Sequence, residues 1–337
     1  MSIVVPAHNA SQDLGACLSA IRSSALNVAY ELIVVDDASS DDTPTIAENH
    51  ADKVIRIARP AQGPANARNT GTDSARAEIV AFVDADVVVP PDALQKMLDV
   101  FGRTNASAVF GSYDSRPFAS GVVSQYRNLL HHFVHQRSAG SVQSFWAGCG
   151  AVRKSALQQV GGFDARRFAH AEMEDVELGY RLIDAGHEIV LDPSIQCTHR
   201  KRITLASMIR GDFSRRGIPW TRVLLERGEV LKPHGLSLGG TEKLSAIAAA
   251  MFALMLVLAI VTRSTGITVS ASAALFAFIA ANATLFAQLN RLRGFGFALA
   301  CVPLHLIYTL TAVSALSWGI VTHPFNRSAR ERYTHLQ

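Results

Sequence analysis

The chain has 337 residues, 49% of them hydrophobic, which is enough for a sizeable core and, by length, for about two domains. The positive charge behind its formal net charge of +4 is concentrated in one segment. Residues 200–232 hold nine Lys or Arg against three acidic residues, which leaves the remainder of the chain net negative. A basic segment just before apolar segments favours an anionic membrane surface, whereas a protein that binds nucleic acid would carry basic residues across its soluble part.

The amino-terminal segment "MSIVVPAHN" predicts a strand that begins at once, without the charged region and cleavage site of a signal peptide. We therefore expect the soluble part to be cytoplasmic. The four cysteines lie far apart and form no C-x-x-C pair, which argues against both a zinc site and a disulfide framework.

The first hundred residues alternate strand-like runs with stretches that carry helix signals. The runs "SIVVP", "ELIVV", "KVIRI" and "EIVAFV" are short and rich in β-branched residues, and the acidic stretch "SSDDTPTIAENH" would cap and open a helix. Strands and helices alternating at this spacing predict a parallel α/β sheet. Ligands of such sheets bind beyond the carboxyl ends of the strands.

Three of these strands end in polar clusters, at residues 6–9, 36–39 and 84–86, and the sheet should bring the clusters to one edge. Helix capping is the usual role of a single Asp or Ser at such a position. It does not account for Asp84 and Asp86, which precede two prolines and would be costly to bury without partners. The pair suggests Mg²⁺ or Mn²⁺ bridging a pyrophosphate. The chain shows no glycine-rich dinucleotide or P-loop motif near these turns, which argues against those phosphate sites.

Two groups of histidines follow. The run "VVSQYRNLLHHFVHQR" places His131, His132 and His135 on an amphipathic helix without a carboxylate beside them, so we do not expect zinc there. His199, in "QCTHRKR", follows a strand-like run and is either an ordinary hydrogen-bonded residue or a metal ligand.

The run "AEMEDVELGYRL" offers four carboxylates at a predicted helix start. Acidic residues favour a helix N-terminus in any protein, by about 0.3–1 kcal/mol each. This explanation suffices for Glu172 and Glu177, and it leaves Glu174 and Asp175 as candidates for chemistry.

Six motifs, in this order, resemble those of family 2 glycosyltransferases with the GT-A nucleotide-sugar fold. They are "VVPAHNA", "VVDDASSDDT", "GPANARNTG", the D-x-D of "FVDADV", "GAVRKSALQQVGGFD" and "EMEDVELGYRL", and the resemblance covers about the first 200 residues. D-x-D alone is a weak signal, whereas six motifs in order are a strong one.

The resemblance implies roles for individual residues. An inverting transfer needs a base on the sugar face opposite the leaving group; Asp175 would be that base, with Glu174 beside it. Asp86 would be the principal metal ligand, Asp84 would face the ribose and the metal, and His199 would complete the metal or diphosphate site. The residues implied in nucleotide-sugar binding are Pro6, Ala7, Asn9, Asp36, Asp37, Arg68 and Asp84.

Three apolar segments, which begin near Leu244, Ile267 and Phe297, are each near or above the roughly 20 residues that a helix needs to span a bilayer. Buried core helices are the alternative. Three spans would leave the arginine-bearing tail "RSARERYTHLQ" outside, against the positive-inside tendency, unless one segment does not cross. The basic segment before them predicts interfacial helices.

The sequence therefore predicts an α/β GT-A (Rossmann-like) domain followed by interfacial and transmembrane helices. The predicted boundaries are 1–200 for the catalytic domain (1–110 donor half, 111–200 acceptor half), 201–240 for basic interfacial helices, 241–322 for about three transmembrane helices and 323–337 for a basic tail.

The predicted protein is a multi-pass enzyme of a bacterial inner membrane with a cytoplasmic catalytic domain. It would transfer a single sugar from a UDP- or GDP-sugar to a lipid acceptor, such as a polyprenyl phosphate, a hopanoid or a glycerolipid, with Mg²⁺ or Mn²⁺ as cofactor. A processive polysaccharide synthase remains an alternative, although the Q-x-x-R-W motif is absent. A non-catalytic nucleotide-sensing membrane protein is another, against which the D-x-D and E-D motifs count.

Overall fold

The computed structural model describes residues 1–230 and 240–325, which divide into an α/β unit and a helical unit. The α/β unit contains residues 1–120 and 128–202, and the helical unit contains residues 121–127 together with the described residues from 203 onward. Part of the predicted interfacial segment, 231–239, and the predicted tail after residue 325 lie outside the described residues.

A nine-stranded sheet is the centre of the α/β unit. Its strands are β1 (Ser2–Ala7), β2 (Glu31–Asp37), β3 (Lys53–Ile57), β4 (Ile79–Val83), β5 (Val87–Val88), β6 (Ala108–Tyr113), β7 (Gly140–Val142), β8 (Cys149–Arg153) and β9 (Ile189–His199). Their order is β3-β2-β1-β4-β8-β6-β9-β5, with β7 beside β9. Strands β1 to β4 are parallel, as the sequence predicts, and β8 runs antiparallel to both β4 and β6.

Helices accompany this sheet along the chain, and β2 is buried at every residue. Strands covered on both faces are apolar along their whole length, which explains the run "ELIVV". The helices are α1 (Leu14–Arg22), α2 (Thr43–Glu48), α3 (Pro64–Ser74), α4 (Ala93–Arg103), α5 (Val122–Arg137), α6 (Lys154–Gln159) and α7 (Glu174–Asp184). Helix α3 approaches β1 so closely that a Cβ on Gly71 would lie 2.3 Å from Cγ1 of Val4.

The helical unit contains the two described helices that are individually long and apolar enough to cross a membrane, α10 and α13. Its elements are α8 (Leu205–Arg210), a π-helix (Gly211–Gly217), α9 (Ile218–Glu226), α10 (Gly240–Thr262), α11 (Thr265–Ala281), α12 (Ala283–Arg293) and α13 (Phe295–Thr322). Helices α11 and α12 meet at a 66° bend and provide a third candidate span only when they are taken together. Two or three crossings are therefore compatible with the lengths and compositions of these helices.

Candidate active site

The carboxyl ends of β1, β2 and β4 lie at one edge of the sheet, because these strands are parallel neighbours. The first two polar clusters touch there. The backbone N–H of Asn9 donates to Oγ of Ser39 at 2.9 Å, and Oδ1 of Asn9 accepts from the N–H of Ser40 at 2.8 Å. Asn9 has a φ of 48°, in the left-handed region that asparagine tolerates better than most residues.

Most of the predicted nucleotide-binding residues lie at this edge. Pro6 is half-buried and Ala7 is buried at the end of β1. Asp37 is buried, and its two carboxylate oxygens accept hydrogen bonds from the N–H groups of Gln62 at 2.8 Å and Gly63 at 2.7 Å. Asp36 accepts a hydrogen bond from the N–H of Ser39 at 3.3 Å. Both carboxylates thus hold loops of the protein in place, and their contact with a nucleotide remains a prediction.

Arg68 joins the two acidic motifs. Its Nη2 donates to Oδ1 of Asp84 at 2.8 Å, and its Nη1 donates to Oε1 of Glu174 at 2.9 Å. The guanidinium also lies 5.5 Å from the ring centroid of Phe163, and only 5% of the side chain is exposed. The sequence predicts that Arg68 reaches the nucleotide, whereas the structure commits both of its terminal nitrogens to protein carboxylates. Arg68 therefore ties the D-x-D motif to the E-D motif.

Asp86 and His199 are brought together by the pairing of β5 with β9. Oδ2 of Asp86 lies 3.4 Å from Nε2 of His199, and the carbonyl of Asp86 accepts a hydrogen bond from the N–H of Arg200 at 2.9 Å. Burial would raise the pKa of Asp86, but the neighbouring His199 and Lys201 hold that pKa below its usual value. Asp86 is therefore ionised at neutral pH.

The chemistry of this cluster fits Mg²⁺ or Mn²⁺. The side chains of Asp84 and Asp86 keep 34% and 30% of their surface exposed, so their carboxylate oxygens are accessible to a hard cation. Among the described residues no group of three or more His, Cys, Asp or Glu side chains is assembled as a complete metal site. A cation held here would therefore take further oxygens from a bound diphosphate.

Asp175 lies in the first turn of α7, close to the ion pairs of Arg68. Its Oδ2 accepts a hydrogen bond from the N–H of Ala147 at 3.1 Å, and its Oδ1 accepts from the N–H of Val176 at 2.8 Å. Burial raises the pKa of Asp175 to about 7, the neighbouring Glu174 carboxylate adds to this effect, and Arg68 opposes it. A carboxylate with a pKa near the working pH is well suited to general-base catalysis.

Glu174 has a different environment from Asp175. It is 4% exposed; Oε1 accepts from Arg68, and Oε2 accepts from the N–H of Glu172 at 2.9 Å. Glu174 is ion-paired with the Arg68 guanidinium, whereas Asp175 accepts hydrogen bonds from two backbone N–H groups. Glu174 is therefore placed to orient Arg68 and the start of α7, and Asp175 is the better candidate for proton transfer.

An aromatic cluster beside the site could not be recognised from the sequence. The ring of Tyr113 stacks on that of His199 with centroids 4.6 Å apart, and the half-buried Trp146 packs edge-to-face against Tyr113 at 4.8 Å. Trp146 immediately precedes Ala147, whose N–H binds Asp175. A single Trp in "SFWAGCG" has no periodic pattern, but Gly148 is a signal, because a Cβ there would lie 2.6 Å from the indole ring.

The histidines of α5 hold the helix against the sheet. The Nδ1–H group of His132 donates to the carbonyl of Tyr113 at 2.7 Å, and that of His135 donates to the carbonyl of Gly111 at 3.0 Å. Burial lowers the pKa of His135 to about 4, which keeps this imidazole neutral. Both rings therefore position β6 beneath the aromatic cluster.

Comparison with known proteins shows which family and which solved structure the chain resembles. Residues 2–161 match the family model for glycosyl transferase family 2. The mannosyltransferase PcManGT from Pyrobaculum calidifontis, solved in complex with GDP-Man and Mn²⁺, superposes with a TM-score of 0.58 at 20% identity, covering 94% of this chain and 86% of that one. The chain has a GT-A fold. Its residues 2–161, slightly less than half of the chain, are similar to family 2 of the glycosyltransferases.

Two curated relatives show the range of the sequence similarity. The pre-mycofactocin glycosyltransferase of Mycobacterium tuberculosis is 30% identical over 220 residues, which are 62% of this chain and 44% of that protein. The UDP-Glc:α-D-GlcNAc-diphosphoundecaprenol β-1,3-glucosyltransferase of Escherichia coli is 30% identical over 116 residues, which are 34% of this chain and 46% of that protein. The chain spans less than half the length of these relatives.

Proposed function

We propose that the protein is a membrane-bound inverting glycosyltransferase. It transfers a single sugar from a UDP- or GDP-sugar to a lipid acceptor, such as a polyprenyl phosphate, a hopanoid or a glycerolipid. The observation that carries this proposal is the simultaneous engagement of Asp84 and Glu174 by Arg68. This arrangement brings the D-x-D carboxylates and Asp175 into one site, where donor and acceptor can meet.

The residues divide the chemistry between donor and acceptor. The edge formed by β1 and β2 holds the nucleotide. Asp84, Asp86 and His199 would hold Mg²⁺ or Mn²⁺, which would supply positive charge to neutralise the departing diphosphate. Asp175 takes the proton of the acceptor hydroxyl as the acceptor oxygen attacks the anomeric carbon from the face opposite the diphosphate. The bond from that carbon to the diphosphate breaks in the same step, so the anomeric configuration inverts.

A lipid acceptor is supported by the apolar helices and by one relative. Helices α10 and α13 are long and apolar enough to lie in a bilayer, which would keep the catalytic domain at a membrane surface. The relative from Escherichia coli acts, by its name, on a sugar attached to diphosphoundecaprenol. An acceptor anchored in the membrane matches both observations.

A product assay in membranes tests the proposal. Membranes that contain the protein are incubated with native lipid extract and a panel of labelled UDP- and GDP-sugars, and the lipids are analysed by mass spectrometry. We expect one lipid class to gain the mass of one sugar, and we expect Asp175→Asn membranes to lack that product. A ladder of masses would show a processive synthase instead. Nucleotide binding without transfer from any donor would show a non-catalytic sensor.

A further inference from the structure

Charged side chains lie against the middle of α13. Tyr308, halfway along this 28-residue helix, has its ring centroid 5.1 Å from the guanidinium carbon of Arg127. Arg127 pairs at 2.7 Å with Asp212, which is buried in the π-helix and is also bound by Arg216 at 3.0 Å. All of these residues belong to the helical unit.

The π-helix and α9 lie beside α13 toward its carboxyl end. A Cβ on Gly217 would lie 2.5 Å from Cβ of Ala315, and a Cβ on Gly319 would lie 2.7 Å from Cγ2 of Thr221. The π-helix and α9 therefore run beside α13 from Tyr308 to Gly319. At 1.5 Å per residue this contact covers about 16 Å.

This contact conflicts with a bilayer crossing by α13. The hydrocarbon core is about 30 Å thick, whereas the part of α13 before Tyr308 is only about 20 Å long. A crossing would therefore carry Arg215 and Arg216 into the core. Both are exposed, and 56% of the Arg216 side chain is accessible. Charges in the hydrocarbon are expensive unless protein or water surrounds them, whereas arginines at headgroup depth are favourable.

Helices α10 and α11, in contrast to the surroundings of α13, contain almost no charged residues. From Leu244 to Ala281 the only charged residue is Arg263, in the two-residue connection between these helices. They form an antiparallel hairpin, in which Nδ2 of Asn282 donates to Oγ of Ser245 at 2.7 Å. Helix α11 alone has 17 residues, at the short end of the roughly 17–25 that a span needs, so this hairpin can cross the bilayer and return without placing a charge in the core.

A polar node joins the base of the hairpin to α13 and α5. Oδ1 of Asn282 can only accept, so Nε2–H of His305 donates to it at 2.8 Å, and Nδ1 of His305 then accepts from the hydroxyl of Tyr126 at 2.8 Å. The node lies at the bend between α11 and α12. Nearby, Nε of Arg293 at the end of α12 donates to Oε1 of Gln125 at 2.9 Å. The chain therefore reaches polar surroundings again at the bend between α11 and α12.

We propose that the chain crosses the bilayer twice, through α10 and α11, and that α13 lies in the headgroup–acyl boundary of one leaflet together with α8, the π-helix, α9 and α12. Arg263 and Ser264 lie on the far side of the membrane. His323–Phe325, which follow α13, stay on the near side, which is the side of Gly121–Arg127. This topology requires membrane association but does not depend on transferase activity.

Cysteine labelling of the full chain tests the topology. The variants are Ala206→Cys in α8 and Pro324→Cys after α13, both at exposed positions, and Ser264→Cys at a half-buried position in the hairpin connection, whereas the four native cysteines are buried. A membrane-impermeant maleimide is applied to right-side-out and to inverted vesicles, with the unsubstituted protein as the background control. A fluorescent-protein fusion and an alkaline-phosphatase fusion at Gln337 report the sidedness of the chain end independently.

We expect Ala206→Cys and Pro324→Cys to react in the same vesicle orientation and Ser264→Cys to react in the other. Of the two Gln337 fusions, the active one should be the reporter that works on the same side of the membrane as position 206. Labelling of Pro324→Cys in the same orientation as Ser264→Cys would overturn the proposal, because α13 would then cross. If a cysteine variant fails to insert, the fusion pair decides, and phosphatase activity on the side opposite position 206 would overturn the proposal equally.

Discussion

Nη1 of Arg68 donates to Oε1 of Glu174 at 2.9 Å and so joins two segments that lie 106 residues apart in the chain. The other terminal nitrogen binds Asp84, and the planar fork of arginine can serve both carboxylates where the single ammonium of lysine cannot. The position of Asp84 relative to the E-D motif therefore depends on one buried cation.

We predict that Arg68→Lys lowers kcat by about 10²-fold, because small misplacements of catalytic groups cost on that order. Arg68→Met should also lower the free energy of unfolding by about 3–5 kcal/mol, since it leaves the buried carboxylate of Glu174 without its cation. Arg76→Lys is the matched control: Arg76 pairs with Glu31 at 3.0 Å but is 82% exposed. That variant should change neither quantity measurably. Wild-type turnover in Arg68→Lys would show that the bridge has no role in positioning.

Metal dependence is the second prediction. Asp86→Ala should abolish transfer, and EDTA should abolish it in the wild-type protein until Mg²⁺ or Mn²⁺ is restored, because charge develops on the departing diphosphate. Asp92→Ala is the control, since this nearby aspartate is 59% exposed and pairs with Lys96. Initial rates with and without chelator provide the measurement. Turnover that persists in EDTA would contradict the assignment of a metal to this site.

Trp146 gives a third prediction. Trp146 immediately precedes Ala147, whose N–H binds Asp175. The indole N–H has no hydrogen-bond partner among the described residues. A sugar-acceptor molecule that approaches Asp175 should therefore contact the indole ring. We expect Trp146→Ala to raise KM for the acceptor about tenfold while leaving KM for the nucleotide sugar unchanged. Tyr30→Ala is the control, since this half-buried aromatic contacts Arg22. Equal effects on both KM values would indicate a general structural defect.

The sequence was most informative where a local pattern determines the structure. Apolar runs such as "ELIVVDD" predicted the parallel strands, and the position of Asp84 and Asp86 after such a run predicted their place at the edge of the sheet. Contacts across long separations left no local pattern. Nothing near Arg68 indicates a carboxylate at residue 174, and nothing near Tyr113 indicates that its ring stacks on His199.

In the helical unit, too, contacts between distant segments leave no local pattern in the sequence. Hydropathy alone makes α13 resemble a membrane span, because its own sequence is apolar. The charges that argue against a crossing, at Arg215 and Arg216, belong to another segment, which the Arg127–Asp212 ion pair holds near Tyr308. Only the packing of these segments against Tyr308 reveals their depth relative to α13.

The pH profile provides a fourth prediction. Burial and the Glu174 carboxylate raise the pKa of Asp175 to about 7, and a general base must be ionised to act. For a hydroxyl acceptor, kcat/KM should therefore rise about tenfold per pH unit below pH 7 and level off above it. The stability effect has the opposite sign, because ionising a carboxylate whose folded pKa is raised lowers stability between the usual Asp pKa and about 7. A profile that is flat from pH 5 to 8, measured with saturating metal, would rule out Asp175 as the base.

The proposed role of Asp175 as the base also predicts the stereochemistry of the product. If one carboxylate deprotonates the acceptor while the diphosphate leaves from the opposite face, the reaction is a single displacement and the anomeric configuration must invert. NMR of the anomeric proton in donor and product measures this directly, and retention of configuration would overturn the mechanism. Asp175→Asn keeps the shape of the side chain but cannot take a proton, so turnover should fall by about 10²- to 10⁴-fold with donor affinity nearly unchanged. A polyprenyl phosphate is already an anion and needs no deprotonation, so the same variant should lose much less activity with that acceptor. The size of the defect therefore separates a hydroxyl acceptor from a phosphate acceptor, provided that inversion is observed with both.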